Sequence, residues 1–268
     1  MQYRLLIIFF SLQVLLSCEM FESHPYDGNV SGEKNVNAKN VKLIEDACKG
    51  KTTLRFAFIS DTQYCYDDTK DFVDAVNKRN DIDFVIHGGD VTEYSLTKEF
   101  LWVRDIMNGL QAPYVTLLGN HDCLATGVDV FRRVFGPENF SFLAGDTKFV
   151  CLNTNSLEFD FSESVPDLKF MRMQANDTRS AYEKTVLVIH APPFSEQFDH
   201  ERVYDFGNLV ADYKRIQFCI HGHTHGLTFN DFFEDGIQYY GVSSIEKRKY
   251  MLLTLRPNNE YDYEIVEF

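Results

Sequence analysis

The chain has 268 residues, of which 44% are hydrophobic and 15% aromatic, and its formal net charge is −14. This length and apolar content suffice for one large core without disulfide staples, so we expect a single folded domain in a monomeric protein. The acidic balance leaves no stripe of Lys and Arg to neutralise a phosphate backbone, which excludes a protein that grips duplex nucleic acid through counterion release.

The N-terminus has the pattern of an export signal. One positive charge in Met1–Arg4 precedes an apolar run over Leu5–Leu16, which is too short to span a membrane but has the length of a signal peptide. The run ends at Leu15-Leu16-Ser17-Cys18, which resembles the lipobox of bacterial lipoproteins. We therefore expect a signal peptide over residues 1–17, a lipidated Cys18, and an exported protein held at the membrane on the periplasmic or cell-surface side. An ordinary secretory signal followed by an unrelated cysteine is the alternative.

A polar stretch separates this leader from the first long apolar run. From Glu19 to about Lys51 the sequence is rich in Asn, Lys, Glu and Gly and has little apolar periodicity. Such a composition is typical of a flexible linker. We therefore expect residues 18–51 to comprise the lipidated cysteine and a tether, and residues 52–268 to form the folded domain.

Short apolar runs alternate with helical patterns from Leu54 onward. The predicted strands are Leu54–Ser60, Ile82–His87, Tyr114–Leu118, Phe149–Leu152, Val186–His190 and Ile216–His221. The predicted helices are Asp68–Arg79, Leu96–Leu110, Asp129–Phe135 and a weaker Val165–Asn176. Strand–helix–strand units favour a parallel sheet, whose ligand sites lie in the loops beyond the carboxyl ends of the strands.

The pattern changes after Gly226, where apolar runs follow one another without helices between them. These runs predict strands at Leu227–Phe232, Gln238–Val242, Tyr250–Leu255 and Tyr261–Glu267. We expect them to form an antiparallel meander. The whole domain is then an α/β fold, a four-layer α-β-β-α sandwich of two mixed sheets flanked by helices.

Side chains of the types that commonly bind metals stand at the ends of five of the predicted strands. In chain order they are Asp61, Asp90, Asn120, His190, His223 and His225. Carboxylate, amide oxygen and imidazole together suit Mn, Fe, Zn or Ni, while the lack of thiolate argues against a closed structural zinc site. Cys65 and Cys123 follow two of these loops, and the sequence does not decide whether they form a disulfide.

Glycines precede several of these residues. Gly89, Gly119 and Gly222 each stand directly before a proposed ligand, and a backbone that turns sharply off a strand towards an ion profits from lacking a Cβ. In Gly222-His223-Thr224-His225, two imidazoles one residue apart can splay towards different ions, unlike an i, i+4 pair on a helix. One loop can therefore serve two metals.

These blocks, in this order over about residues 54–230, resemble the calcineurin-like metallophosphoesterase family. The resemblance implies a two-sheet sandwich, two divalent metal ions and hydrolysis of phosphate esters. The implied ligands are a bridging Asp90, Asp61 and His225 on the first ion, and Asn120, His190 and His223 on the second. The resemblance also implies that His121 is the catalytic imidazole, and we expect its neighbour Asp122 to orient that ring through a hydrogen bond.

The first motif departs from the commonest pattern of the family. Most members carry Asp-x-His, whereas this chain has Asp61-Thr62-Gln63. The segment resembles one branch, the manganese-dependent ADP-ribose and CDP-alcohol diphosphatases, and an oxygen donor tilts the first site from zinc towards manganese or magnesium. The alternative ligand is Glu93, which stands where purple acid phosphatases carry a tyrosine. We favour Gln63.

The resemblance implies a mechanism as well. A metal-bridged hydroxide would attack a small phosphorylated substrate clamped by two cations about 3.5 to 4 Å apart. His121 would protonate the leaving oxygen, a step to which a placed general acid contributes roughly 10² to 10⁴-fold. Two alternatives remain: a nucleoside-diphosphate-type diphosphatase or phosphodiesterase, and a surface binding module with a vestigial site that holds no metal.

Overall fold

The structure, a computed structural model, describes residues 24, 26–162, 164–178 and 181–268. The signal peptide predicted for residues 1–17 and the predicted lipidation of Cys18 lie outside these residues. Within the described ranges, none of the helices has both the length and the apolar character needed to cross a bilayer.

Six α-helices and eleven β-strands form in the described part of the chain. The helices are α1 (Val36–Cys48), α2 (Tyr66–Asn77), α3 (Thr97–Met107), α4 (Gly127–Val134), α5 (Leu168–Ala175) and α6 (Val203–Ala211). The strands are β1 (Leu54–Ile59), β2 (Phe84–His87), β3 (Tyr114–Thr116), β4 (Phe140–Ala144), β5 (Thr147–Leu152), β6 (Lys184–Ile189), β7 (Ile216–His221), β8 (Thr228–Asn230), β9 (Tyr239–Gly241), β10 (Lys249–Leu255) and β11 (Tyr261–Glu267). Every helix and strand predicted from the sequence is present with its ends shifted by a few residues, and α1, β4 and α6 are additional.

The strands form two mixed sheets. The first has five strands in the order β11-β10-β1-β2-β3, and the second has six in the order β4-β5-β6-β7-β9-β8. In the first sheet β1, β2 and β3 are parallel, and β10 runs antiparallel to both β1 and β11. In the second sheet β5, β6, β7 and β9 are parallel, and the edge strands β4 and β8 are antiparallel to their neighbours.

The two sheets pack face to face over an aromatic and aliphatic core. Phe56 and Phe84 of the first sheet stack with their ring centroids 5.2 Å apart, and both meet Phe149 of the second sheet edge to face. Helices α2, α3 and α4 cover the outer face of the first sheet, and α5 and α6 cover that of the second. The predicted four-layer sandwich is confirmed.

The expectation of a flexible tether is wrong for Val36–Cys48. This segment is α1, which contacts both β3 and β4 and so closes one side of the sandwich, with Ile44 buried in the core between the sheets. The buried Asn37 pairs with the edge of β3: its Nδ2 donates to the Thr116 carbonyl at 2.8 Å, and its Oδ1 accepts from the Thr116 amide at 2.9 Å. Because asparagine occupies part of the buried face, the segment looks polar in sequence although it belongs to the fold.

The C-terminal strands do not form one meander. β8 pairs with β9 in the second sheet, whereas β10 and β11 belong to the first sheet, in which β10 lies next to β1. Residues 242–248 cross between the sheets, where the Ser244 hydroxyl donates to the Asp61 carbonyl at 3.1 Å and the Ile245 amide donates to the Ser60 carbonyl at 3.2 Å. The crossover thereby supports the loop after β1. Local periodicity predicts such strands but not the sheet that each one joins.

The cysteines of the described residues form no disulfide. Cys48, Cys65, Cys123, Cys151 and Cys219 are all free. The bond between Cys65 and Cys123 that the sequence left open is therefore not formed, and the packed sheets rather than cross-links hold the domain together.

Candidate metal centre

The carboxyl ends of β1, β2 and β6 bring three buried side chains together. Asp61, Asp90 and His190 each offer one ligand atom, and these atoms all lie within 4.8 Å of one another. The two aspartates follow strands of the first sheet and His190 follows a strand of the second. Two carboxylates and an imidazole that are this close and shielded from solvent suit a divalent cation.

Unusual backbone conformations aim the side chains into this centre. Positive φ angles of 58°, 56°, 66° and 53° occur at four predicted ligands, Asp61, Asp90, His223 and His225. Residues other than glycine rarely adopt this region, which costs of order 1–3 kcal/mol each and is found mainly at functional sites. A Cβ on Gly119 would lie 2.1 Å from the Asp90 backbone nitrogen, so only glycine allows the β2 and β3 loops to approach this closely.

A second group of ligand atoms converges on Asn120. Its Oδ1 lies 3.0 Å from His190 Nε2 and 3.0 Å from His223 Nδ1. His190 Nδ1 donates to the Gly88 carbonyl at 2.8 Å, so a neutral His190 presents its Nε2 lone pair to Asn120. Glu196 Oε1 lies 2.9 Å from His223 Nε2, which in the same way leaves the Nδ1 lone pair of His223 free. Three acceptor atoms that face one another in this way fit a bound cation.

The two imidazoles of the last motif face different parts of the centre. His223 faces Asn120, whereas His225 Nε2 lies 3.4 Å from Asp61 Oδ1. Asp90 lies between the two groups, because its Oδ2 is 3.3 Å from His190 Nε2 and its carboxylate is close to that of Asp61. The structure thus brings all six strand-end ligands together in two groups around Asp90. Their assignment to individual ions stays a prediction.

Gln63 Oε1, two positions after Asp61, is buried and has no hydrogen-bond partner among the described residues. Asp90 Oδ2 is buried as well, and it contacts His190 Nε2 at 3.3 Å. An unsatisfied buried acceptor costs about 1–3 kcal/mol, and a cation would supply the missing partner. Glu93, the alternative to Gln63, has its carboxylate 3.5 Å from His121 Nδ1 instead. These contacts favour Gln63 over Glu93 as a ligand.

Opposite charges shift titration in the centre. Burial disfavours the charged form of His190, but the carboxylates of Asp90 and Asp61 outweigh burial and raise the pKa of His190 to about 9. Burial likewise disfavours an ionised Asp90, yet the charge of His190 holds the pKa of Asp90 below its usual range. An imidazole that ligates a metal is unprotonated, so a cation that binds here must displace the His190 proton.

Asp122 does not orient the His121 ring, so that expectation is wrong. The Asp122 carboxylate accepts from the Gly119 amide at 2.9 Å and from the Thr92 amide and hydroxyl at 2.9 and 2.8 Å. Residues 120–122 form a single 3-10 turn, in which consecutive side chains point in different directions. Asp122 therefore reaches away from its neighbour and joins the loop after β2 to the loop after β3.

The His121 ring is held by Glu93. His121 Nδ1 lies 3.2 Å from the Glu93 carbonyl oxygen, which can only accept, so Nδ1 carries the proton and Nε2 is left for other partners. The His121 amide donates to Asp90 Oδ1 at 2.9 Å, and the Ser95 hydroxyl donates to the His121 carbonyl at 2.8 Å. The backbone and the ring of His121 are both fixed by the loop after β2.

Glu196 is a residue of this centre that the sequence motifs do not reveal. It lies on the loop after Pro192-Pro193 and contacts the His223 ring across 27 positions of the chain. A carboxylate behind a ligating imidazole fixes the tautomer and the orientation of the ring. The only sequence signal is that this loop follows His190, and no motif spacing points to the glutamate.

Comparison with known structures supports the same fold. The chain is similar to "GAP50 the anchor in the inner membrane complex of Plasmodium", with a TM-score of 0.62 and 14% identity over 81% of this chain and 85% of that one. It is also similar to purple acid phosphatase PPD1 from yellow lupin (Lupinus luteus) seeds, with a TM-score of 0.62 and 13% identity over 81% of this chain and 52% of that one. Sequence identities of 14% and 13% show that the chains share a fold and nothing more.

Comparison of sequences gives the family. No curated protein sequence matches the chain. Residues 54–227 match the family model described as calcineurin-like phosphoesterase. This stretch spans well over half of the chain and contains all the strand-end ligands. The chain therefore belongs to the calcineurin-like phosphoesterase family.

Proposed function

We propose that this chain is a hydrolase of phosphate esters that depends on two divalent metal ions. The convergence of Asp61, Asp90 and His190, with ligand atoms within 4.8 Å of one another, carries the proposal. Membership of the phosphoesterase family supports the substrate class. The net charge of −14 favours small phosphorylated molecules over nucleic acid.

The donor atoms of the centre fit two ions. The first ion would be held by Asp61, Gln63 and His225, the second by Asn120, His190 and His223, and Asp90 would be shared by both. The buried Gln63 Oε1, which has no hydrogen-bond partner among the described residues, supports this arrangement. Because Gln63 adds an oxygen donor to the first group, we propose manganese, with Fe, Zn, Ni and Mg as the other candidates.

The reaction divides between the ions and the protein side chains. Bound divalent ions lower the pKa of water and neutralise phosphoryl oxygens. Water supplies the oxygen that bonds to phosphorus, the P–O bond to the leaving group breaks, and the leaving oxygen takes up a proton. We assign that proton to Nε2 of a doubly protonated His121 ring, because Nδ1–H donates to the Glu93 carbonyl at 3.2 Å and the transfer then leaves the neutral ring with its proton on Nδ1.

Metal titration of chelator-treated protein tests the proposal. With an aryl phosphate as substrate, we expect no phosphate release from the metal-free protein and restored release with Mn. Asp90→Ala should abolish hydrolysis and metal binding, whereas Asp105→Ala, which removes an exposed carboxylate on α3, should retain both. His121→Ala should retain two metals and lower kcat by roughly 10² to 10⁴-fold. Lack of hydrolysis with Mn, Fe, Zn, Ni and Mg alike contradicts the proposal.

Cleavage of a diphosphate bond in nucleoside-diphosphate-type substrates is the second candidate reaction. The segment Asp61-Thr62-Gln63 favours it, because this variant of the first motif resembles that of the diphosphatase branch. A higher kcat/KM for nucleotide diphosphates than for monoesters would identify this activity. Gln63→His should shift the metal preference from Mn towards Zn, since imidazole is the softer donor.

A binding module with a vestigial site is the competing account from outside the enzyme class. Elemental analysis of protein purified without chelators separates the two accounts. A vestigial site should carry no stoichiometric metal, whereas the hydrolase should carry up to two ions per chain.

We also propose that the protein is exported and held at a membrane by a lipid on Cys18. The apolar run over Leu5–Leu16 and the lipobox-like segment that follows it support this proposal. Cys18→Ser should move the protein from the membrane fraction to the soluble fraction, and an unchanged distribution would contradict lipid anchoring.

A further inference from the structure

Two exposed tyrosines pair beside the metal centre. The side chains of Tyr64 and Tyr94 are 58% and 49% exposed, although large aromatic residues usually bury most of their surface. Their ring centroids are 5.8 Å apart and their planes cross at 77°. The two rings therefore form an apolar surface that is open to solvent and not part of the core.

The loops that carry the tyrosines are loops of the metal centre. Tyr64 directly follows Gln63 in the segment after β1, and Tyr94 directly follows Glu93 in the segment after β2. Glu93 holds the His121 ring through its carbonyl at 3.2 Å. Tyr94 is thus the direct neighbour of the residue that holds the His121 ring, and Tyr64 is the direct neighbour of a candidate metal ligand.

The tyrosine pair is held in place rather than loosely attached. Tyr64 has a φ of 62°, a conformation that costs a residue other than glycine of order 1–3 kcal/mol. The Tyr94 amide donates to Glu99 Oε2 at 3.1 Å, and the same oxygen accepts from the Leu96 amide at 3.0 Å at the start of α3. The positive φ of Tyr64 belongs to a turn that the Cys65 amide closes on the Thr62 carbonyl at 3.0 Å, and this turn fixes the direction in which the exposed ring leaves the loop.

We propose that Tyr64 and Tyr94 bind a planar ring in the leaving group of the substrate. This inference rests on the proposed function, because the leaving oxygen must meet the proton donor His121, and the group bonded to that oxygen then lies against the tyrosine pair. The preferred substrates are accordingly phosphate esters whose alcohol part carries an aromatic ring or a base. Stacking on aromatic side chains tolerates many rings, so the pair selects a class of leaving group rather than one compound.

A matched pair of substrates tests this inference. 2-Phenylethyl phosphate and ethyl phosphate both release a primary alcohol as the leaving group, but only the alcohol of the first carries a ring. We expect the wild-type protein with Mn to have a higher kcat/KM for 2-phenylethyl phosphate. Tyr64→Ala and Tyr94→Ala should each lower the ratio of the two kcat/KM values roughly 5- to 50-fold, whereas Tyr64→Phe should keep most of it because the ring remains.

The control for this test is a second exposed aromatic pair. Tyr263 stacks on Phe229 at 5.5 Å and lies on β11, the edge strand that β10 separates from β1. Tyr263→Ala should leave the ratio unchanged, and the metal content of each tyrosine variant shows whether it has folded.

The outcomes separate the inference from the proposed function. Phosphate release from both substrates with an unchanged ratio in Tyr64→Ala and Tyr94→Ala, or no ring preference in the wild type, overturns the inference alone. Lack of metal-dependent release from either substrate overturns the proposed function.

Discussion

His190 and His223 present different ring nitrogens to Asn120, because different partners hold the opposite nitrogen of each ring. The Gly88 carbonyl holds His190 Nδ1 and the Glu196 carboxylate holds His223 Nε2. The motifs predict the imidazoles, since histidines at strand ends are visible in sequence. They do not predict these partners, because a backbone carbonyl has no residue type and Glu196 lies on a loop without a motif.

Glu196 therefore gives a prediction at the scale of one residue. Glu196→Ala removes the acceptor from His223 Nε2, so the ring can take the tautomer whose Nδ1 is protonated and cannot ligate. We expect about tenfold weaker metal binding, measured by titration of chelator-treated protein, the low end of the effect of such partners because Glu196 is exposed. Glu196→Gln keeps an acceptor oxygen and should retain most of the affinity. Equal metal affinities in the wild type and Glu196→Ala would show that Glu196 does not support metal binding by His223.

At the scale of elements, the strands are better predicted than the helix that closes the sandwich. Apolar runs that stop at Asp61, Asp90 and Asn120 predict β1, β2 and β3, because a buried parallel strand is apolar on both faces and its loop is not. α1 has no such signal, since its buried residues include Asn37, which satisfies the edge of β3 by hydrogen bonds rather than by apolar contact.

The role of α1 predicts an effect on stability. Asn37→Ala leaves the buried amide and carbonyl of Thr116 without partners, and each unsatisfied buried group costs about 1–3 kcal/mol. We expect the free energy of unfolding, from urea denaturation, to fall by roughly 2–4 kcal/mol. Lys42→Ala, at an exposed position of the same helix, is the control and should change it by less than about 0.5 kcal/mol. If this segment were a flexible tether, neither substitution would change the free energy of unfolding.

His87 at the end of β2 predicts a pH effect. The Gly89 amide donates to His87 Nδ1 at 3.2 Å, and His87 Nε2 lies 2.9 Å from Thr62 Oγ1, so the buried ring is neutral. Burial lowers the pKa of His87 to about 4 from the usual 6.5 of histidine. The unfolded chain therefore binds a proton that the folded chain excludes, and the stability from a neutral His87 is complete above pH 6.5 and is lost as the pH falls towards 4.

The size of this loss can be measured by comparison with His87→Asn. Between pH 7 and pH 4, the metal-free wild type should lose roughly 3 kcal/mol of unfolding free energy more than the variant. The contributions of other groups that titrate in this range, including Asp122, occur in both proteins and cancel in the difference. Parallel stability curves would show that the His87 ring is protonated in the fold.

At the scale of the whole molecule, the centre exists only because two sheets and their crossover meet. Asp61 and His190 come from different sheets, and residues 242–248 pass from one sheet to the other beneath the loop that carries Asp61. The sequence predicts the layers and the ligands, because both follow from local apolar patterns and motif residues. It does not predict the division of the last four strands between the sheets, which is set by contacts between positions far apart in the chain.

The central claim is that two divalent ions bind this centre and that hydrolysis requires both. Its most direct test is the number of Mn equivalents per chain at which hydrolysis of an aryl phosphate by the metal-free protein reaches its maximum. We predict saturation at two equivalents and no activity without metal. Full activity in the presence of a strong chelator, or metal binding at two equivalents with no hydrolysis of any phosphate ester, would contradict the account.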